Sequence, residues 1–217
     1  NHVIDSLFKT YIKGVTDKIA KETNFLVSVF KDNAGVIKFN KDHNVVFKVE
    51  THNSPSALDP YGGALTGIVG VNRDTLGTGI GSKPIFNTDI FCFAPPNYKK
   101  QIPPRLMHPR RIFEGVRKGV EHGGNKSGIP TVNGSIVFDE RFLGKPLVYC
   151  GTGGVMPAKI NGEDSSIKKI DAEDIILMVG GSVGKDGIHG ATFSSEELNE
   201  GSPATAVQIG DPITQKK

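Results

Sequence analysis

Between residues 45 and 70 the chain changes its spacing rule twice, and that change limits what it can fold into. Val45-Val-Phe-Lys-Val-Glu50 alternates, so it reads as a strand with Lys48 and Glu50 on one face and Phe47 and Val49 on the other. An ammonium and a carboxylate therefore leave the sheet side by side. The strand breaks into Thr51-His-Asn-Ser-Pro55, where Pro55 ends the ladder and biases Ser54 to an extended backbone. Gly62-Gly-Ala-Leu-Thr-Gly-Ile-Val-Gly70 then carries too many glycines for a surface helix, since each costs about 1 kcal/mol against Ala. Glycines so placed let a backbone, a ligand or a neighbouring helix come close, and residues 64–74 are expected to form a helix packed through them.

Two acids chosen at random are most often solvated surface charges. Here their company is unusual: Lys48, Glu50, His52, Asn53, Arg73 and Asp74 share a short span that is otherwise apolar or glycine-rich. Three function classes fit these residues. In a nucleotide- and Mg²⁺-dependent ligase, Glu50 and Asp74 suffice as the protein ligands of a cation that keeps waters and substrate phosphates, and Lys48 neutralises phosphate. In a divalent-metal hydrolase, His52 joins the two acids. The third class is a non-catalytic nucleotide-binding or scaffold domain. A zinc hydrolase usually clusters its histidines, and the six here are dispersed.

Composition narrows the choice. A chain of 217 residues, 37% hydrophobic and 23% charged, can bury one sizeable core or one domain and part of another. No apolar run approaches the roughly 20 residues that cross a bilayer, and no secretory signal opens the chain, so the cytoplasm is the expected location. The net charge of +3 is spread over dispersed lysines, which gives nucleic acid no electrostatic footprint. Cys92 and Cys150 each lie in an apolar strand-like run and read as buried structural thiols.

In order, an amphipathic helix runs through Ile4, Leu7, Phe8, Tyr11, Ile12, Val15 and Ile19. Strands are expected over 25–30, 35–39 and up to Glu50, and, after a flexible glycine loop at 75–83, over 84–93. A weak signal for phosphate attaches to that loop. Residues 94–104 hold four prolines and form a surface excursion. A helix starts at Pro109 and stops at Gly123-Gly124, with His108 before it and His122 in its last turn. Strands follow over 129–138 and 145–155. Asp174-Ile-Ile-Leu-Met-Val-Gly-Gly181 opens a new unit with a strand buried on both faces. The order implies an α+β domain whose mixed or antiparallel sheet is covered by helices on one side.

Residues 179–190 form a second glycine cluster. It fails the Walker spacing, since Val179 and Asp186 stand where Gly and Ser or Thr are required, and it lacks the dinucleotide fingerprint. It supports a backbone nest for an anion or a tight crossing with a structural His189.

Lys-Val-Glu-Thr-His-Asn-Ser-Pro-Ser-Ala (48–57), Gly-Gly-Ala-Leu-Thr-Gly (62–67), Asn-Arg-Asp (72–74), residues 184–193 and Val207-Gln-Ile-Gly-Asp-Pro212 resemble the synthetase (PurL-type) subunits of phosphoribosylformylglycinamidine synthases, related to aminoimidazole ribonucleotide synthetases. The resemblance implies a PurM-like amino-terminal ATP- and Mg²⁺-binding domain over 1–165 and the opening of a second α/β domain over 166–217. It implies ATP-dependent amidation of formylglycinamide ribonucleotide, with ammonia from a glutaminase subunit or domain. Lys48 would contact ATP, Glu50 and Asp74 would hold Mg²⁺, and Thr51, His52, Asn53, Ser54, Arg73 and Gln208 would contact the ribonucleotide, His52 as proton acceptor. It also favours the nest for the second glycine cluster and a dimer or pseudo-dimer formed through the sheet. Ser54 stands where the family often has His. A further catalytic His upstream and more ligands downstream of Gln208 fall outside these residues, so this piece is expected to be inactive alone; a scaffold domain of the same superfamily is the alternative.

Overall fold

A computed structural model describes residues 3–182, 197–198, 201–202, 207–208 and 210–217. A π-helical turn (Phe8–Lys13) leads into α1 (Gly14–Glu22), followed by β1 (Leu26–Ser28), β2 (Gly35–Lys38) and β3 (His43–Thr51). Next come α2 (Asn53–Leu58), α3 (Pro60–Leu76), β4 (Lys83–Phe93), α4 (Pro109–Ser127), β5 (Thr131–Phe138) and β6 (Leu147–Pro157). A short hairpin pairs Lys159–Ile160 with Glu163–Asp164, and α5 (Pro212–Lys216) lies near the end of the chain.

The six strands line up as β1-β2-β3-β6-β4-β5. Every neighbouring pair is antiparallel except β4 and β5, which are parallel and joined through α4, the kind of crossover a parallel pair requires. This is the mixed sheet of an α+β domain, as the order of elements implied. The pleat sends Val148, Cys150, Phe91 and Phe93 toward α3 and α4, where they meet Ala64, Ile68, Val71, Ile112 and Val116 in one core, while Val46 packs with Ala34, Val36 and Met156 in a second, smaller one. Phe113 of α4 reaches both Phe93 and Phe138 edge-on, with ring centroids 5.6 Å apart in each pair.

Capping explains where the two long helices begin. Asp59 accepts from the Gly62 N–H at 3.0 Å and Pro60 fills the first turn of α3. His108 accepts from the Arg110 N–H at 3.2 Å ahead of Pro109. At its far end α4 runs past Gly123 and Gly124 to stop at Gly128, which is left-handed with φ 67°. Those two glycines are therefore not the stop expected of them: Gly123 lies where a Cβ would stand 2.9 Å from that of Ile68, so its absent side chain serves helix packing. His122 consequently sits inside the helix, its Nδ1 2.9 Å from the Tyr61 hydroxyl.

Other expectations change too. Asn53–Leu58 is a short helix and Ser54 is not extended. Pro55 is tolerated because it occupies the first turn, where its missing N–H has no intrahelical partner to lose. The 75–83 stretch, expected as a flexible loop, is a loop only over 77–82, since α3 runs to Leu76 and β4 starts at Lys83, and it is tied down: Ser82 donates to the Thr75 carbonyl at 2.6 Å, and the Ile80 N–H to that of Ser165 at 2.9 Å. The apolar run 174–181 forms no strand, and Ile176 is 94% exposed; a strand buried on both faces needs strands beside it and a layer over each face, which the described residues do not give it. No residue of α1 is buried; Val15 and Ile19 of its apolar stripe stay 46% and 38% exposed. Cys92 and Cys150 are buried free thiols, and burial raises the Cys150 pKa well above its ordinary value.

Among the described residues, the face of the sheet away from α3 and α4 is apolar and, apart from α1 at one end, uncovered. Phe47, Val49, Ile90 and Val137 are each 44–48% exposed there. A groove of about 390 Å³ between α1 and this face is lined by Ile19, Phe25, Ile37 and Phe47.

Candidate active site

The carboxyl end of β3 and one stripe of α3 build the site. On β3 the alternation puts Lys48 and Glu50 on the helix-facing side, where they pair across the sheet with Thr152 and Cys150. On α3, Thr66, Gly70, Arg73 and Asp74 recur at three- and four-residue spacing and so share a face. Between the two lies a cavity of about 320 Å³ lined by Lys48, Glu50, His52, Thr66, Gly70, Arg73, Asp74 and Gln208, with Asn33 from the β1–β2 connection and Pro55.

At its base the Lys48 ammonium lies 2.9 Å from Asp74 Oδ2 and 3.3 Å from Glu50 Oε2. Burial alone would depress the Lys48 pKa, but the bonds to Asp74 and Glu50 outweigh it and the pKa is raised. Two carboxylates from different elements thus converge on a single cationic point. That is a hard oxygen donor set of the size Mg²⁺ uses when waters and phosphates complete its shell. Among the described residues no group of three His, Cys, Asp or Glu could hold a metal, so His52 does not join the two acids as a third ligand.

His52 follows β3 directly and its ring packs on α3, where a Cβ at Gly67 would stand 3.2 Å from His52 Cγ and 2.8 Å from Cys150 Sγ. Gly67 is the room the imidazole needs. Burial lowers the His52 pKa, with the Glu50 charge pulling the other way. The ring is therefore neutral at pH 7, the state that accepts a proton.

The remaining expected residues divide. Arg73 and Gln208 line the cavity, whereas the side chains of Thr51, Asn53 and Ser54 do not. Asn53 Oδ1 accepts the Val148 N–H at 2.7 Å, Ser54 is fully buried, and Thr51 pairs with Tyr149 at the end of β3. The 75–83 stretch, with its weak phosphate signal, contributes nothing to the lining; of the cluster at 179–190, residues 179–182 do not line it either and 183–190 lie outside the described residues. Asn33, Thr66, Gly70 and Pro55 escaped the sequence reading; the helical spacing of 66, 70, 73 and 74 was the one signal available for two of them.

One buried acid lies outside the cavity. Asp89 of β4 pairs across the sheet with Cys150, beyond Glu50, and is 3% exposed. Burial raises its pKa to about 6, with bonds from the Gly151 backbone and Thr131 opposing, and its Oδ1 has no hydrogen-bond partner. Because the folded value exceeds the unfolded one of 3.8, the fold is fully favoured below pH 4 as far as this group is concerned and loses stability as pH rises through 6. The shift corresponds to about 3 kcal/mol. Asp89→Asn should remove that slope and raise the unfolding midpoint at pH 8 but not at pH 4, as measured by urea titration across pH.

Residues 31–156 match the family model of AIR synthase related proteins, amino-terminal domain. The PurL subunit of phosphoribosylformylglycinamidine synthase from Thermoplasma volcanium is 38% identical over 95% of this chain, and that from Picrophilus torridus is 39% identical over 96%. The chain spans about a quarter of the length of these relatives, 26% and 27%. Among solved structures, T. maritima PurL complexed with FGAR is similar over 93% of this chain and 30% of that one, at 29% identity and TM-score 0.63. The ATP complex of the same protein gives 29% identity and TM-score 0.57, with the same coverage of this chain and 28% of that one. This chain belongs to the AIR synthase related family and carries its amino-terminal domain.

Proposed function

We propose that the chain supplies the ATP- and Mg²⁺-handling part of a synthetase that converts formylglycinamide ribonucleotide to formylglycinamidine ribonucleotide in purine biosynthesis. The observation that carries this is the convergence of Glu50 and Asp74 on one cationic point beside a neutral imidazole. The relatives named PurL and the PurL structures with FGAR and ATP support the choice of substrates.

In this reading Glu50 and Asp74 hold Mg²⁺, which when bound neutralises charge developing on the transferring phosphoryl group. Lys48, already in contact with both acids, turns its ammonium to the nucleotide phosphates. The γ-phosphoryl group of ATP passes to the amide oxygen, ammonia forms the new C–N bond, and the C–O bond to phosphate breaks. His52 takes the proton that the attacking nitrogen sheds. Arg73 and Gln208 fix the ribonucleotide from the α3 side, and residues 51–54 offer it mainly backbone groups. The ammonia comes from a glutaminase, consistent with a PurLQS assembly from Thermotoga maritima at 28% identity and TM-score 0.57. The setting is the cytoplasm; no helix among the described residues is long and apolar enough to cross a membrane.

The test is product formation by the whole protein that contains this chain, with ATP, Mg²⁺ and ammonium. His52→Ala should lower the rate by about 10²-fold or more. In the wild type the rate should hold from pH 8 to 7 and fall only below the ordinary histidine value of 6.5, because the pKa is lowered. A His52→Ala protein with full activity would move the assignment to a nucleotide-binding scaffold.

The bare sheet face belongs to the same proposal. Gly151 and Gly153 keep its centre flat, and the ring of Phe86 lies across Gly153. An apolar face of this kind is covered in a working protein, here by a second copy or a sister domain laid sheet to sheet. Sedimentation of this chain should show self-association that Phe47→Asp abolishes; a monomer at high concentration would count against a second copy.

A further inference from the structure

Gln208 stands far from α3 in sequence, and the Thr66 side chain helps hold its backbone there. Thr66, 3% exposed in the middle of α3, donates its hydroxyl to the Gln208 carbonyl at 2.7 Å and accepts the Gly210 N–H at 3.0 Å. A single hydroxyl thus satisfies a carbonyl and an amide of the same stretch of backbone. The approach is close, for a Cβ on Gly210 would stand 3.2 Å from Val69 Cβ and 3.3 Å from Thr66 Oγ1. Further along, Gln215 donates Nε2 to the Val69 carbonyl at 2.9 Å, one turn beyond Thr66. Asp211 caps α5 by accepting from the Ile213 and Thr214 N–H groups at 3.0 and 3.2 Å. Val207, 4% exposed, anchors the other side.

From this we infer that Thr66 is a positioning residue: its hydroxyl docks residues 207–208 and 210–217 on α3 and thereby sets Gln208 over the cavity. The inference deepens the proposed function and rests on reading Gln208 as a ribonucleotide contact. Thr66 shares its helix face with Gly70, Arg73 and Asp74, so the docked backbone and the acidic end of the site are held by one rigid element. Valine has nearly the shape of threonine but neither donates nor accepts. Thr66→Val would leave the Gln208 carbonyl and the Gly210 amide without the partner that holds them on the helix.

Two measurements on the same protein test this: amide exchange of residues 207–217, and calorimetric binding of formylglycinamide ribonucleotide and of Mg²⁺-ADP. For Thr66→Val, exchange in 207–217 should quicken and the ribonucleotide Kd should rise, each by about 10-fold. Mg²⁺-ADP affinity should stay within about 2-fold, since Lys48, Glu50 and Asp74 are untouched, and Thr66→Ser, which keeps the hydroxyl, should restore both readouts. Unchanged exchange in Thr66→Val, or a Thr66→Ser protein as loose as Thr66→Val, overturns the inference. If exchange quickens but even the wild type fails to bind the ribonucleotide, the docking by Thr66 stands and the substrate reading fails. Should Thr66→Val not fold, Gly210→Val lifts the same backbone from the other side. It must then reproduce the faster exchange and the weaker ribonucleotide binding, and a Gly210→Val protein unchanged in both refutes the docking.

Discussion

Glu50→Gln in the whole protein is expected to lower ATP-dependent amidation by about 10²-fold or more while leaving the fold intact. The amide keeps the shape of the carboxylate and loses its charge, so the hard cation keeps one anionic protein ligand, Asp74, in place of two. The fold is insulated from the change. Lys48 makes its shorter bond, 2.9 Å, to Asp74, and the Glu50 carboxylate at 3.3 Å is about a third exposed, which keeps the loss of stability below roughly 1 kcal/mol. Asp74→Asn removes the closer partner and should cost more stability for a similar loss of rate. The measurement is a Mg²⁺ titration of product formation beside a thermal midpoint for each variant. A Glu50→Gln protein that retains its rate and its Mg²⁺ dependence would take the metal away from this pair of acids.

The acids were legible in the sequence because strand alternation fixes a face without any knowledge of the fold. Lys48 and Glu50 had to leave β3 on the side opposite Phe47 and Val49, and the sheet-exposed pair and cavity-lining pair fall that way. Asp74 followed from the helix after the glycines. What alternation cannot supply is distance between elements, so Thr66 and Asn33 acquired a place only when α3 and the β1–β2 connection met over β3. Asn53 shows the reverse: it stands inside the motif, yet its side chain is spent on the Val148 N–H. Local rules also misjudged residues whose partners are remote. Pro55 and Gly123-Gly124 look like breaks, and the structure uses the first inside the opening turn of α2 and the latter two inside α4. A buried helix makes small residues useful in a way that no propensity scale records.

That last point gives a stability effect as large as that at Asp89 and a direct contest between two principles. Gly→Ala inside a helix should stabilise by up to about 1 kcal/mol if propensity decides. For Gly119 of α4 packing decides instead. A Cβ there would stand 3.0 Å from the Leu65 N and 3.1 Å from the Ala64 Cβ, and closer still to the Tyr61 carbonyl oxygen. Two of these neighbours are backbone of α3, so no rotamer can relieve the contact and the helices must separate. Gly115 and Gly123, one turn to either side, meet Pro60 and Ile68 in the same way and keep α4 from pivoting out of the clash. Gly119→Ala should therefore cost about 3 kcal/mol net, lowering the melting midpoint of a domain this size by roughly 10 °C. Gly70 provides the control on α3, since nothing lies within 4 Å of the Cβ it would gain. Gly70→Ala should raise the midpoint by about 1–3 °C while placing a methyl group in the cavity between Thr66 and Asp74. Calorimetric scans of the two variants decide the matter: the same substitution must move the midpoint in opposite directions, and a shift of the same sign in both would mean that the glycines of α4 do not set the spacing that holds Asp74 and Arg73 over β3.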